Sequence, residues 1–404
     1  MEVTNFEDAK FQEADFSHTE FIKRAYFRYA KFLGMTTFRD VVFRSRMTFY
    51  RAEFNDVTFD DVSFQGKATF SYVCLHKATF RSVDFQGKAL FLKASFIEST
   101  QFIRTTFVHA EFNGARFKGE TKFTHVVFAG GEETFFDELE DNNDLSKVSF
   151  MNTDITKVRF SEAAKWGEKD KFKVIEERWL EELASGKEPK PSITVGTVMA
   201  VYRNLRENYE YRLGYDEAGE FFLREMELKR WYTYSPNLPC KFKIKLRELY
   251  GRLTRSEKQP PSIEYKLRRK CWSERNISLT GIYYHFSRYG ESITRPTIIG
   301  LITVGLSTLF WLMQSKPTLE PHFFVNSSLY NSTSHFVYLN QAANSTHWLT
   351  AFQRSFADFL PLLSLPSDIK AGIIDYIIKI VGGVLTFGLL AIALRRKFER
   401  KYTR

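Results

Sequence analysis

Charged and polar residues recur at helical spacing in an apolar segment near the end of the chain. Asp375, Lys379, the Gly382 and Gly383 pair, and Thr386 follow one another at intervals of three or four inside an otherwise apolar run. That spacing predicts one stripe on a helix, and charged groups within an apolar helix usually face a partner or water. The stripe therefore indicates an ion path, although a helix–helix interface would bury the same residues.

Catalytic chemistry has no comparable pattern in this sequence. There is no glycine-rich phosphate loop, no arrangement of a nucleophile with a base, and no cluster with metal-ligand spacing. The three cysteines, Cys74, Cys240 and Cys271, form no CxxC pair, which favours a reducing compartment or simple burial over disulfides. We therefore expect no enzyme, no cofactor and no bound metal.

Two apolar segments could cross a membrane, and the second of them contains the stripe. Residues 297–315 contain no charge, and residues 372–394 end at the basic tail 395–404. About 20 apolar residues cross the ~30 Å hydrocarbon layer of a bilayer as a helix. We expect two transmembrane helices, and the alternative for each is a buried helix of a soluble domain.

The distribution of basic residues predicts the orientation of these helices. Lys and Arg are concentrated before residue 297 and after residue 394, whereas the loop 316–370 holds only three. Basic flanks stay in the cytoplasm, so the loop is expected outside and both termini inside. The loop carries three glycosylation sequons, at Asn326, Asn331 and Asn344. The charged residues 1–30 predict no cleavable signal peptide.

The external loop contains a candidate re-entrant segment. Trp348, Phe352, Phe356 and Phe359 recur at helical spacing, which predicts a helix of about twelve residues, too short to span a bilayer. An extended apolar stretch, PLLSLPSD, follows from Pro361. The pore candidates of this stretch are Ser364, Leu365, Pro366 and Asp368.

A phenylalanine ladder dominates the first part of the chain. Phenylalanine recurs every five or six residues from Phe6 to Phe128, with Leu75 as one substitution, and a small or aliphatic residue stands two positions before each. Neither a helix nor a flat strand places every fifth residue on one face. A chain that turns one corner every five residues does, and twenty-four units would make six square coils, a rod ~30 Å long at ~4.8 Å per coil. We expect the acidic segment 130–144 to be a surface loop that interrupts the ladder, which then resumes at Leu145, Phe150, Ile155 and Phe160.

The middle of the chain reads as a helical module followed by a basic segment. Residues 169–185 predict one helix, and residues 196–231 a helical hairpin whose spacing resembles one tetratricopeptide repeat. Arg206 and Glu225 depart from that pattern, because such repeats want small residues there. A single repeat is not stable alone, so we expect a capping or docking module. The basic residues 241–271 could form a solvated helix face, or they could bind nucleic acid or anionic lipid head groups. The apolar segments downstream favour lipid binding.

The ladder over residues 4–160 resembles the phenylalanine-rich branch of the pentapeptide-repeat family, which implies a right-handed quadrilateral β-helix. Nearly the full length of the chain resembles prokaryotic proteins that join such repeats to a helical hairpin and a two-helix, potassium-channel-like pore. Tyr289, Gly290 and Arg295 match the juxtamembrane segment of those proteins best. The resemblance implies a homotetrameric cation channel in which Gly382 and Gly383 are hinge candidates, although close helix packing explains the two glycines equally well.

The candidate filter departs from that family. A potassium filter uses a TVGYG-like strand whose carbonyl groups replace the hydration shell of the ion. PLLSLPSD contains no glycine. We therefore expect a pore with little potassium selectivity, or one whose function has been lost.

These patterns divide the chain into five expected segments. They are a β-helix over residues 1–165, a helical hairpin module over 166–240, a basic juxtamembrane segment over 241–296, a two-helix membrane domain over 297–394 with the external loop 316–370, and a cytoplasmic tail over 395–404.

Two functions remain open for this arrangement. The first is a pore subunit of the cell membrane, and the second is a membrane-tethered scaffold whose solenoid binds a protein partner. A soluble mimic of DNA is disfavoured, because mimicry needs an acidic rod and the charge of this ladder is nearly balanced. The expected partners are membrane lipids, inorganic cations, further copies of the chain and a cytoplasmic protein, with no nucleic acid.

Overall fold

The structure is a computed structural model that describes residues 3–186, 193–236, 265–314, 348–349, 352 and 386–402. The chain divides into two units, Met1–Arg275 and Asn276–Arg404. The core of the first unit runs without a break from the phenylalanine ladder into the helical hairpin.

A coiled parallel sheet forms the first 160 residues, because the ladder places one strand segment against the next coil. Thr4 pairs with Ala25, Ala25 with Met47, and Met47 with Ala68, so successive coils lie 21 or 22 residues apart. Within residues 3–186 the strands are β1 (Thr4–Asn5), β2 (Lys10–Phe11), β3 (Ala14–Asp15), β4 (Glu20–Phe21), β5 (Ala25–Tyr26), β6 (Lys31–Phe43), β7 (Met47–Thr48), β8 (Glu53–Phe64), β9 (Ala68–Thr69), β10 (Cys74–Arg81), β11 (Asp84–Leu90), β12 (Ser95–Ile103), β13 (Thr106–Glu111), β14 (Arg116–Phe117), β15 (Glu120–Thr124), β16 (Val127–Phe128), β17 (Thr134–Phe136), β18 (Val148–Ser149) and β19 (Arg159–Phe160).

Phenylalanine rings fill the interior of the coil in stacked columns. The rings of Phe32 and Phe54 lie 4.4 Å apart and nearly parallel, whereas rings of neighbouring columns, such as Phe38 and Phe49, meet edge to face at 5.7 Å. Rings of the inner coils are fully buried, and burial of each contributes roughly 1.5–3 kcal/mol. The predicted β-solenoid is confirmed, and its phenylalanines form the core.

The acidic segment was predicted to be a surface loop, but part of it lies within the solenoid. The solenoid makes about seven turns between Thr4 and Phe160, six over the ladder as far as Phe128 and one that the resumed pattern completes. Phe136 lies in the interior, stacks on Phe112 at 4.5 Å and pairs with Phe160 of the last coil. The extra residues form a 3-10 helix (Gly131–Glu133) and α1 (Glu140–Asn143). A coil tolerates such an insertion wherever its strand segments keep their register.

A helical module covers the last coil. It consists of α2 (Ile175–Ala184), α3 (Val195–Tyr211) and α4 (Tyr215–Trp231), followed by the antiparallel strands β20 (Tyr232–Pro236) and β21 (Tyr265–Arg269). The side-chain amide of Asn208 on α3 donates to the carbonyl oxygens of Ile155, Thr156 and Val158 at 2.7, 3.0 and 2.7 Å. These oxygens belong to the coil edge, where unpaired groups would otherwise invite a foreign strand.

Among the described residues toward the end of the chain, two short helices precede two longer ones. They are α5 (Trp272–Asn276), α6 (Leu279–Ser287), α7 (Thr294–Gln314) and α8 (Thr386–Tyr402). Within the second unit, α7 packs against both α6 and α8. The hydroxyl of Ser278 accepts a hydrogen bond from the Gly281 amide and caps the start of α6.

Candidate functional site

Helix α7 is the described element that overlaps the first predicted span, and its apolar side chains face outward. One stripe is buried, and it is made of Pro296, Gly300, Val304 and Ser307. The opposite face exposes five large apolar side chains, of Ile298, Leu301, Ile302, Leu306 and Leu309. Small residues therefore lie toward the neighbouring helices and large apolar residues lie away from them, the reverse of a helix that packs on a soluble core.

Helix α8 repeats this arrangement over its described side chains. Thr386 and Ala393, one heptad apart, are each 3% exposed. Gly388, Ala391, Ile392 and Arg395 are exposed and lie on one stripe of the helix. The arginine stands at the start of the basic end of this helix, beyond the apolar stretch.

An elbow of residues 284–295 fixes α6 relative to α7. Arg295 donates from its guanidinium to the carbonyl oxygen of Tyr284 at 2.9 Å and lies 5.1 Å from the ring centroid of that tyrosine. Tyr289 is fully buried, with its ring 5.4 Å from that of Tyr284. The backbone at Gly290 has φ +82°, a left-handed conformation that glycine adopts readily. The residues that the sequence predicts to be juxtamembrane, Tyr289, Gly290 and Arg295, thus lie together at one corner.

A buried acid cluster lies in the first unit, and the described residues of the second unit contain no counterpart to it. In the first unit, Glu176 at the start of α2 accepts hydrogen bonds from the Ser149 hydroxyl at 2.7 Å and the Phe150 amide at 3.1 Å, both on the solenoid. Burial raises the pKa of Glu176 to about 7. Glu177 accepts a hydrogen bond from the Tyr202 hydroxyl, and burial raises the pKa of this carboxyl too. We call this pair of carboxyls the acid seam. Glu176 changes protonation near neutral pH, and its hydrogen bonds join α2 to the solenoid.

The two residues that depart from the tetratricopeptide pattern contact each other. Glu225 is 4% exposed on α4 and accepts from Arg206 at 3.0 Å and from Arg203 at 2.9 Å, both on α3. A buried carboxylate needs such partners. The hairpin therefore replaces the packing of small residues with an ionic contact.

Most of the predicted pore residues lie outside the described residues. These are the filter candidates Ser364, Leu365, Pro366 and Asp368, the stripe residues Asp375 and Lys379, the hinge candidates Gly382 and Gly383, and the sequons at Asn326, Asn331 and Asn344. Thr386 is described, and it is buried within its own chain. Trp348 and Phe352 of the short re-entrant segment are helical and exposed.

The described residues contain neither a candidate membrane-spanning helix nor a candidate cluster of metal ligands. No helix there combines the length and the apolar character that crossing a bilayer requires. No group of three or more His, Cys, Asp or Glu side chains there could hold a metal ion.

Sequence reasoning missed the residues that join the hairpin to the solenoid. Besides Asn208, Asn204 donates to the Thr153 carbonyl oxygen at 3.1 Å and Arg212 to that of Lys157 at 3.1 Å. The three residues stand four apart and so form one polar stripe on α3. That spacing on a helix with an otherwise apolar face was the available signal, but it does not reveal that the acceptors are backbone groups.

Comparisons with known proteins bear on the solenoid. A family model described as pentapeptide repeats (9 copies) matches residues 80–127, so this chain contains pentapeptide repeats. No curated protein matches. Among solved structures, a trypsin-treated variant of QnrB1, a plasmid-mediated fluoroquinolone resistance protein, is similar at 21% identity and a TM-score of 0.23, with 41% of this chain and 80% of that chain covered. That similarity is too low to support an argument about function.

Proposed function

We propose that the C-terminal helices embed this chain in a membrane and that it serves as a subunit of a homotetrameric cation channel with little potassium selectivity. The solenoid and its helical module then form the part outside the bilayer. The outward apolar face of α7 carries the proposal.

The face of α7 fits lipid better than water. Leu301 and Leu306 are 69% and 63% exposed, and no charged residue occurs between Pro296 and Gln314. In water, each such side chain left exposed forgoes roughly 1.5–3 kcal/mol of burial. In a bilayer these side chains meet acyl chains, and small residues such as Gly300 and Ser307 allow helices to approach closely. The proposal therefore rests on which side chains face outward.

The pore itself is proposed from the order of the elements. The sequence predicts an apolar helix, a short helix, an extended segment and a second apolar helix with a basic end, the order found in the two-helix pore proteins that the chain resembles. The extended segment lacks the glycines that let successive carbonyl groups line a potassium filter. A water-filled path with an acidic residue, Asp368, near its mouth would pass cations with little discrimination among them.

Membrane embedding is tested first, because conduction depends on it. The full chain is expressed in bacterial cells, and the membranes are washed with alkaline carbonate. Wild type should remain in the pellet, whereas the double substitution Leu301→Lys with Leu306→Lys should move it to the supernatant, since two charges on a lipid face oppose insertion. Val127→Lys, at an exposed valine of the solenoid, is the matched control and should stay in the pellet. If the double variant stays there too, the outward face of α7 does not contact lipid.

Conduction is tested on the purified full chain in planar bilayers. The expected result is a cation current with similar permeability to potassium and sodium. A tetramer that carries no current would contradict the proposed pore, but it would not contradict the proposed membrane embedding.

A membrane-tethered scaffold is the second candidate, and the position of Thr386 favours it. This residue belongs to the stripe that the sequence assigns to an ion path, yet it is 3% exposed within a single chain. In the scaffold the C-terminal helices anchor the chain, and the function lies on the solenoid surface. An absence of current together with retention in the carbonate pellet would select it.

A further inference from the structure

The tyrosines of the solenoid are gathered at one corner. Residues 1–165 contain four tyrosines, Tyr26, Tyr29, Tyr50 and Tyr72, and all four lie within or beside one column of corner residues. Backbone hydrogen bonds stack this column from coil to coil, from the Tyr29 amide to the Tyr50 carbonyl at 3.0 Å and from the Tyr72 amide to the Leu92 carbonyl at 2.8 Å. The ring centroids of Tyr29 and Tyr50 are 5.9 Å apart, and those of Tyr50 and Tyr72 are 5.6 Å apart.

Cations lie between these rings. The guanidinium of Arg51 is 5.5 Å from the ring centroids of both Tyr50 and Tyr72 and 5.9 Å from that of Tyr29. Arg28 lies over the ring of Tyr26 at 5.4 Å, and the Lys93 ammonium lies over that of Tyr72 at 5.8 Å. We call these residues, 26, 28, 29, 50, 51, 72 and 93, the tyrosine–cation ladder.

The positive charges of the ladder have no carboxylate partner in the part of the chain that the structure describes. Arg28, Arg51 and Lys93 are exposed and form no ion pair there. On other sides of the solenoid, cations pair with acids one coil away, as Lys31 does with Glu53 at 3.7 Å and Arg39 with Asp60 at 3.6 Å. The ladder therefore presents net positive charge beside exposed aromatic rings.

Folding of the solenoid does not require these residue types. Tyr29, Arg51 and Tyr72 have positive φ, at +56°, +55° and +58°, a conformation that favours glycine, asparagine and aspartate. The corresponding corner positions of the flanking coils are occupied by Asp8, Gly114 and Glu138. The rings of the tyrosines also lie outside the phenylalanine core. The stability of the solenoid therefore does not explain the tyrosine–cation ladder.

We propose that the tyrosine–cation ladder binds an extended acidic segment of a partner protein. The ladder covers four coils, which at ~4.8 Å per coil span ~14 Å, the length of four or five extended residues at ~3.3 Å each. Carboxylates of such a segment would pair with the cations, and its aliphatic side chains would lie against the rings. Acidic residues of the same column flank the tyrosine–cation ladder at both ends, at Asp8 and Glu138. Their negative charges would repel the longer run of phosphates that a nucleic acid would bring. This inference goes beyond the proposed function and does not depend on embedding or conduction.

The test is fluorescence anisotropy with the full chain in detergent micelles. The probes are three fluorescein-labelled chains, namely a twelve-residue peptide of alternating glutamate and valine, the same peptide with lysine for glutamate, and a single-stranded oligodeoxythymidine of twelve nucleotides. The acidic peptide should bind saturably and the other two should not. Arg51→Glu should weaken binding of the acidic peptide about tenfold or more, because it reverses the cation that touches three rings.

A matched control separates the ladder from general electrostatics. Arg104 is an exposed corner cation with φ +51° in another column, so Arg104→Glu makes the same change of charge elsewhere on the solenoid. It should leave the affinity for the acidic peptide within about twofold. Failure of the acidic peptide to bind, equal loss in both variants, or preferential binding of the oligonucleotide would each overturn the proposal, whatever the membrane experiments show.

Discussion

Asn208 lies 53 positions after Ile155 in the sequence, and its side-chain amide donates to the Ile155 carbonyl oxygen at 2.7 Å. The same amide also reaches the carbonyl oxygens of Thr156 and Val158. One buried side chain on α3 thus satisfies three backbone acceptors at the last coil. This relationship makes the helical module a cap for the solenoid rather than a separate body.

Replacement of Asn208 should loosen the last coil first. Asn208→Asp keeps the shape of the side chain but removes the donor and places a carboxylate against three carbonyl oxygens. Each buried polar group left without a partner costs about 1–3 kcal/mol. Hydrogen–deuterium exchange of the full chain should show faster exchange in residues 145–160, with little change near residue 60. Glu207→Ala, at the exposed neighbour on α3, should leave both regions unchanged. Uniform acceleration in Asn208→Asp would mean that the cap does not act locally.

The sequence predicts the phenylalanine ladder but not the cap at Asn208, and the reason is physical. Phe59 and its equivalents repeat at a period that only a coil satisfies, so the solenoid follows from spacing alone. The insertion before Phe136 concealed the place of this residue in the core, because the extra residues displace the ladder in sequence but not in register. Asn208 has no repeat, and its partners are backbone groups without a sequence signature. The elbow at Arg295 was recognised as a segment, but its contact with the Tyr284 carbonyl needs the folded chain.

The acid seam should make the stability of the first unit depend on pH. The pKa of Glu176 is about 7 in the folded chain against an ordinary value of 4.5, so the folded state binds the proton more tightly. Stability from this group is therefore present below pH 4.5 and is lost as the pH rises through 7, by about 3 kcal/mol in all.

Glu176→Gln should remove that dependence, because the amide oxygen can still accept from Ser149 and Phe150. The thermal midpoint of the variant should match wild type near pH 5 and exceed it near pH 8. Glu177, whose pKa is also raised by burial, remains in both proteins and cancels in the comparison. Glu162→Gln, at an exposed carboxyl, serves as the control and should follow wild type at every pH. A constant offset between Glu176→Gln and wild type would contradict the assignment.

The ionic contact of the hairpin should be strongly non-additive. Glu225→Ala leaves the partly buried Arg206 with the more distant and more exposed Glu210, at 3.7 Å, as its carboxylate partner. Breaking one side of a buried pair destabilises by up to roughly 3–5 kcal/mol. Replacing Arg206 and Glu225 together by alanine should be less harmful than that single change. Chemical denaturation of the full chain, with Arg206→Ala as the fourth corner of the cycle, measures the coupling. Strict additivity would show that the two side chains stabilise the hairpin independently.

The last prediction concerns the face of α8 that would line a pore. The sequence alone places Thr386 on that face, but the structure buries it and leaves Gly388, Ala391, Ile392 and Arg395 exposed on one stripe. In a tetramer, the stripe that is exposed on the single chain is the one available to face the axis. In a background with the native cysteines replaced, Ala391→Cys should react with a cytoplasmic thiol reagent and lose current, whereas Thr386→Cys should be protected and keep it. The opposite result would mean that the stripe predicted from the sequence, with Thr386, lines the pore. It would also imply that α8 rotates about its axis when the tetramer forms. Current indifferent to reagent at both positions would leave α8 as an anchor and favour the scaffold.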